Sequence, residues 1–411
     1  MAGLSGDCFA HGGGLLSVEE AAALVVSRVV PVGGVEEVAL RTARGRVLAT
    51  PLVAPRDLPP FRNSAVDGYA LRTAELSPDG ETRLELAGRV VAGQMAGVLP
   101  SGRAVRVLTG APVPEGADAV VMQEDVGLAA GAVMVPAGLA PGANLREAGE
   151  DVARGEVALP AGRRMDAPAV GLAAALGFGR VRVTRRPVVG VFSTGDELVE
   201  PGGALGPASR HDSNRPTLLA LLDGLPVEAR DLGILPDQAG PTMEALRGAA
   251  ASHDLLLTSG GVSEGEEDHV RAAIEAEGRL HFWKLAVKPG KPAALGVIQG
   301  VPVLGLPGNP VAAVVAFLHL ARPLVLRLAG ASEEKLPRFP AVSGFVHRKK
   351  AGRREYLRVS LRDGVAQRYP RDGSGLIGSL ARTEAFVEVP EDVTAIEPGD
   401  AVTVIPYSGL F

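Results

Sequence analysis

The segment Ser259-Gly260-Gly261-Val262-Ser263-Glu264-Gly265-Glu266-Glu267-Asp268 joins two kinds of chemistry. Paired glycines let main-chain N–H groups close on an anion, and the helix expected over residues 268–276 adds its positive end. Glu264, Glu266, Glu267 and Asp268 crowd the same place and repel one another unless a cation or solvent compensates. Hard carboxylate oxygens beside a phosphate cradle suggest Mg2+. A solvated acidic helix start is the competing reading of the same acids. Gly261-Val262-Ser263-Glu264-Gly265 also fits the nucleophile elbow of serine hydrolases. The fit is poor, because an elbow serine follows its strand directly and here Ser259-Gly260-Gly261 intervene.

Lys284, Lys288 and Lys291 fall at an expected strand and its exit turn, and Lys288-Pro289-Gly290-Lys291 is a rigid turn able to aim two ammonium groups at one anion. Ordinary surface lysine is the alternative. Ser193-Thr194-Gly195-Asp196-Glu197 and Asp237 add carboxylates near other strand ends, where Asp196 or Glu197 could equally cap a turn. Pro307-Gly308-Asn309-Pro310 opens a helix, suiting an anion or simply a stiff corner. Asp67-Gly68 reads locally as a hairpin turn, and Thr109-Gly110-Ala111-Pro112 as another turn. Neither a Walker A loop nor a Rossmann glycine fingerprint is present.

These loops need strands to carry them. Residues 187–192, 255–258 and 301–306 are apolar runs, each followed by a glycine- or proline-rich loop and a helical stretch, the last over 311–320. That rhythm predicts an α/β domain over 184–330 with a parallel sheet covered on both faces. The loops should share one cleft at the carboxyl ends of the strands. Ser17 and Glu20 have capping-box spacing, so a helix starts at Val18. Residues 51–149 form a β-rich inserted N-terminal domain with strands near 83–91 and 104–108. An Ala-rich helix at 168–176 is expected to pack back on the first, making a discontinuous helical linking domain of 16–50 and 150–183. Residues 335–411 alternate as a small C-terminal β-barrel-like domain. The whole is an α/β multidomain chain.

Composition agrees with several cores: 411 residues, 46% hydrophobic and 22% charged, which at usual domain sizes gives about three domains. Net charge −5 and 4% aromatics disfavour nucleic-acid binding. Cys8 is the single cysteine and the 7 histidines are scattered, which excludes internal disulfides and cysteine-based zinc sites. Residues 311–321, the longest uncharged apolar helix candidate, are too short for a bilayer, and the N-terminus does not read as a signal peptide. A cytoplasmic location without membrane contact is expected.

The motifs Asn63-Ser64-Ala65-Val66-Asp67-Gly68-Tyr69-Ala70, Thr109–Pro114 with Gly116–Val121, Gly149-Glu150-Asp151, Ser193–Leu198, Asp212-Ser213-Asn214-Arg215, Ser259–Ser263, Lys288–Pro292 and Leu306–Val311 occur together and in order. From about residue 17 onward the chain resembles the molybdopterin molybdenumtransferase family, which includes the gephyrin E domain. The resemblance implies insertion of molybdate into adenylylated molybdopterin with release of AMP and Mg2+ assistance. It implies a homodimer in which Asp67 and Thr109 reach the partner's cleft, and contact with other molybdenum-cofactor enzymes is a further possibility it raises. Lys284, Lys288 and Lys291 would lower the repulsion between the anionic substrates. Asp268, with Glu197 and Asp237, would hold Mg2+. Ser259, Gly260, Gly261, Ser263, Pro307, Gly308, Asn309 and Pro310 would line the cofactor site, and Arg353 and Ser374 the molybdate side.

Some positions depart from the family pattern. Glu264 stands where a small or apolar residue is usual, Ala312 where Ser is frequent, and His211 and His269 where Tyr is common. Two other readings share the motifs: the related molybdopterin adenylyltransferase step, and a non-catalytic molybdopterin-binding scaffold.

Overall fold

The computed structural model describes residues 15–235, 238–261, 269–277, 281–408 and 410. The chain divides into two compact units. One comprises the residues up to Thr50, Ala161–Asp166 and Arg180–Phe411; the other comprises Pro51–Pro160 and Ala167–Gly179.

The first unit is built on six strands: β1 (Val188–Thr194), β2 (Glu228–Leu235), β3 (Leu255–Ser259), β4 (His281–Lys284), β5 (Pro292–Ile298) and β6 (Val301–Leu306). Their order is β2-β1-β3-β6-β5-β4. β2, β1, β3 and β6 are parallel, as the alternating rhythm requires. β5 and β4 add antiparallel pairings at one edge, so the sheet is mixed. The cause is local: Gln299 and Gly300 both have positive φ and close a two-residue hairpin between β5 and β6, which admits only antiparallel neighbours.

Period-two alternation divides the sheet's side chains between two cores. Val189, Val191, Leu255, Leu257, Leu304 and Leu306 pack with the helices Val18–Ser27 and Asn214–Asp223 and the long helix beginning at Pro310. Phe192, Leu256, Ala294 and Val303 face the helices Ala239–Ala250 and His269–Glu277. The first of these helices starts on the expected capping box: Ser17 Oγ accepts from Glu20 N at 3.2 Å, and Glu20 Oε2 accepts from Ser17 N at 2.9 Å.

The apolar helix runs further than its uncharged stretch suggested. It spans Pro310–Leu328, 19 residues at mean hydropathy 1.8, and its apolar window is 89% buried inside the protein. It is therefore a core helix despite a length sufficient to cross a bilayer. Arg322 does not end it, because Glu334 compensates the buried guanidinium at 3.1 Å.

The C-terminal strands Phe339–Ser343, Arg354–Arg362, Val365–Arg368, Ala385–Val389 and Ala401–Pro406 close into a small barrel through the pairing of Arg354–Arg362 with Ala385–Val389. The two-residue strand Val287–Lys288 adds to it in parallel, with Val287 opposite Arg354 and Lys288 opposite Glu355.

The second unit carries a six-stranded sheet in the spatial order Ala119–Met122, Gly68–Leu71, Arg103–Val107, Thr82–Val90, Ala132–Val135, Gly127–Ala129. Asp67-Gly68 is not the turn of a hairpin. Asn63–Ser64 pairs with Leu145–Arg146, and Gly68–Leu71 lies between two other strands. Gly68 serves close approach: a Cβ there would lie 2.0 Å from the Val121 carbonyl oxygen. The helix Ala167–Ala175 belongs to this unit, and the adjoining Leu176 packs with Ala54 and Val152.

Leu257 is fully buried in central β3. Leu257→Ala should cost about 2–5 kcal/mol, read as lost hydrogen-exchange protection of the β1, β3 and β6 amides; unchanged protection would show that this core does not depend on it.

Candidate functional site

Three strand ends meet in the first unit. Ser193-Thr194-Gly195 leave β1, Ser259-Gly260-Gly261 leave β3, and Pro307-Gly308-Asn309 leave β6, together lining a cavity of about 420 Å³. Gly260 and Gly261 have φ of +98° and +66°, where side chains are disfavoured. Space forbids one as well: a Cβ on Gly261 would lie 2.7 Å from Thr194 Oγ1 and 2.8 Å from Val270 Cγ2.

Asn214 joins two of the loops. Its Nδ2 donates to Ser259 Oγ at 2.7 Å and to the Gly308 carbonyl at 2.8 Å, while Ser259 Oγ donates to the Pro307 carbonyl at 3.1 Å. Arg215 fixes the start of that helix. Its buried guanidinium meets Asp212 at 3.0 Å, Glu200 at 2.5 Å and also Asp231, and Asp212 in turn accepts from the Asn214 and Arg215 amides. Ser193 Oγ, Thr194 Oγ1 and Asn214 Oδ1 are buried without a hydrogen-bond partner among the described residues.

A second cavity of about 580 Å³ continues from the first through Arg210, Pro292 and Pro307-Gly308-Asn309. The Lys288–Lys291 turn forms one side, with Gly290 at φ +115° close to the Ala312 carbonyl oxygen. The C-terminal barrel contributes Glu355, Arg358, Arg368, Asp372 and Ser374. Among the described residues, five cationic side chains thus face two carboxylates. Lys288 Nζ pairs with buried Glu355 at 3.3 Å, Arg368 with Asp372 at 2.7 Å, and Arg210 with Glu197 at 2.6 Å. Lys291 has no ion-pair partner among the described residues. Burial lowers the Arg358 pKa, with the Asp372 charge opposing, yet a guanidinium stays charged. Burial is the largest single influence on Asp372 and opposes its charge, but the Arg368 hydrogen bond and the charges of Arg368, Lys288 and Arg358 together hold the carboxyl below its usual range. Such a surplus of cations in a partly dry crevice fits an oxyanion.

Among the residues singled out from sequence, Ser259, Gly260, Gly261, Glu197, Pro307, Gly308, Asn309, Pro310, Lys288, Lys291 and Ser374 all line this cleft. Lys284 and Arg353 do not. Lys284 is half-buried, with its carbonyl accepting from Leu16 N at 2.9 Å. Arg353 is exposed one residue before its strand, with its carbonyl accepting from Lys349 Nζ at 2.8 Å. Asp237, Ser263, Glu264, Glu266, Glu267 and Asp268 lie outside the described residues, as does Cys8. His211 lines the smaller cavity, and Ala312 lines the larger.

Residues that sequence reasoning passed over as site material are Asn214, Arg210, Glu355, Arg358, Arg368 and Asp372. Strand alternation gave no signal for them, since the consecutive residues Glu355, Tyr356, Leu357 and Arg358 all line the cavity, whereas Arg353 precedes the strand.

In the second unit Asp67 Oδ1 accepts from Thr109 N at 2.7 Å and from Thr109 Oγ1 at 2.8 Å. These hydrogen bonds, the backbone one first, hold its pKa below the ordinary aspartate value, with help from the charges of Arg106 and Arg89.

Three family models match the chain: the MoeA N-terminal region (domain I and II) over residues 16–177, a probable molybdopterin binding domain over 190–327, and the MoeA C-terminal region (domain IV) over 341–407. A molybdopterin molybdenumtransferase of Haemophilus influenzae is 38% identical, over 90% of this chain and 93% of its own length. Molybdopterin molybdenumtransferase 2 of Mycobacterium tuberculosis is 35% identical, over 89% and 94%. Among solved structures, the molybdopterin biosynthesis moeA protein of Pyrococcus horikoshii OT3 superposes with a TM-score of 0.81 at 31% identity, covering 96% of this chain and all of its own.

Folding lowers the Asp67 pKa, so ionised Asp67 favours the folded form above the unfolded value, and that contribution is lost as pH falls through the lowered one. Thr109→Val should move the carboxyl's NMR titration midpoint upward; an unmoved midpoint would assign the shift elsewhere. Gly261→Ala should destabilise its loop by roughly 1–3 kcal/mol, seen as faster proteolysis there with the melting of the C-terminal barrel unchanged.

Proposed function

The chain belongs to the molybdopterin molybdenumtransferase family and is an enzyme of molybdenum cofactor biosynthesis, and from that premise we propose that its joined cavities are where molybdate meets adenylylated molybdopterin. The larger cavity, ringed by Arg210, Lys288, Lys291, Arg358 and Arg368, carries this reading. Both substrates are anions, and two unit charges 4 Å apart repel by about 4 kcal/mol at an effective dielectric near 20. Lys288, Lys291 and Arg358 offset that repulsion at the place where the anions approach. The Gly261 amide and the amino end of the Pro310–Leu328 helix receive the phosphate side, stabilising charge that grows on departing AMP, while the Gly260 amide donates to the Leu306 carbonyl at 3.1 Å. Positioning and electrostatics suffice, without a covalent protein intermediate.

On the molybdate side we assign the arginine role to Arg358, because it lines the cavity, and not to Arg353. Mg2+ would need Asp237 and Asp268 beside Glu197. Glu197 is the only one of the three among the described residues, it is paired with Arg210, and no cluster of three ligating side chains occurs among those residues. The described residues alone do not make a magnesium site.

We extend the reading to a homodimer in which Asp67 and Thr109 of one subunit serve the cleft of the other. Their exposed, hydrogen-bonded pair leaves an ionised carboxylate available to a partner.

Purified protein given adenylylated molybdopterin, Mg2+ and molybdate should release AMP in proportion to molybdate. ATP consumption with molybdopterin would instead indicate the adenylyltransferase step, and binding without AMP release a scaffold. Arg358→Met should lower molybdate-dependent turnover about 100-fold, while Arg353→Met stays within about twofold; the reverse order would sink the assignment. Mixing Asp67→Ala and Arg358→Met chains should restore roughly a quarter of wild-type turnover through mixed dimers carrying one intact cleft. No restoration would remove the shared-cleft reading.

A further inference from the structure

Glu355 is a buried carboxylate, 5% exposed, in the wall of a cavity that gathers anion-binding groups. An unpaired charge in such a place is strongly destabilising, so its partners are required by the fold. One is Lys288, the residue opposite it across the short parallel strand pair, with Nζ at 3.3 and 3.4 Å from the two carboxylate oxygens. The other is His347, whose Nε2 lies 3.0 Å from Glu355 Oε2. His347 is itself buried, 6% exposed, and does not line the cavity.

A carboxylate only accepts, so Nε2 carries the hydrogen and His347 is the donor. Burial first, and then the Arg368 charge, keep the ring's pKa below its ordinary value despite Glu355, so the ring is neutral at pH 7. Lys288 is different in kind. Its side chain is 56% exposed, and such an ammonium on a flexible stem is held weakly by an ion pair unless the counter-charge is fixed. The His347 hydrogen bond and the strand backbone fix it.

We propose that His347 is a positioning residue for oxyanion capture: by donating to Glu355 it fixes the carboxylate that places the Lys288 ammonium over the larger cavity. It also leaves Glu355 with a donor when Lys288 turns to an incoming anion, so the buried charge is never abandoned. This rests on the reading of that cavity as the molybdate side, and it adds a residue behind the wall.

The test measures kcat, KM for molybdate and KM for adenylylated molybdopterin, with thermal melting of every variant. His347→Phe should raise the molybdate KM about tenfold, the loss of one charge-assisted hydrogen bond, with the KM for adenylylated molybdopterin within about twofold of wild type. His347→Gln, whose amide can replace the Nε2–H donor, should restore the molybdate KM to within about threefold. If Phe is not accommodated, His347→Asn, too short to reach Glu355, carries the same expectation. His347→Phe should add nothing on top of Lys288→Ala, since the two act through one ammonium. An unchanged molybdate KM, an equal rise for both substrates, a folded Gln variant without rescue, or additivity with Lys288→Ala would each overturn the proposal. Failure of the cavity reading is separable: Lys288→Ala would then leave the molybdate KM unmoved, and the role of His347 would fall with it.

Discussion

One short contact governs the site. Val287–Lys288 lies parallel to Arg354–Glu355, and through those few residues the lysine turn of the α/β core is set against the arginine-bearing strand of the barrel. Bringing Lys288, Lys291, Arg358 and Arg368 to one crevice is unfavourable by itself. Glu355 and Asp372 make it tolerable, each paired with one of the cations. Lys291 keeps no ionic partner among the described residues, and among those residues the crevice carries more positive than negative side chains. That surplus gives an anion a reason to enter.

The neighbouring strand-end cavity is organised by different means. Its glycines leave the main chain open to close approach, its helix start adds a favourable dipole, and Asn214 ties the loops after β3 and β6 with one carboxamide. Arg215, buried among Asp212, Glu200 and Asp231, holds that carboxamide in place. A flexible polar loop could bind the same groups but could not present them in a fixed geometry, and a reaction that depends on positioning needs that geometry.

Much of this was legible in the sequence because its causes are local. The capping box at Ser17 and Glu20, the apolar strands, and the glycine- and proline-rich loops that end them act within a few residues. The antiparallel edge was not legible, since Gln299-Gly300 is an inconspicuous turn whose positive φ values become evident only in three dimensions. Gly68 was read as a turn residue because nothing nearby reveals the Val121 carbonyl that approaches it. Arg353 and Arg358 illustrate the same limit: both sit in one basic stretch, and only the folded position of Glu355–Arg358 against the lysine turn shows which arginine lines the cavity. His347 carries no motif at all, and its part depends on a neighbour opposite a residue from another domain.

The most direct test is crystallographic. Crystals grown with molybdate and measured at the molybdenum edge should show one dominant anomalous peak within hydrogen-bond reach of the Lys288 and Lys291 ammonium groups and the Arg358 guanidinium, beside Ser374. A dominant peak at Arg353, which does not line that crevice, would contradict the account.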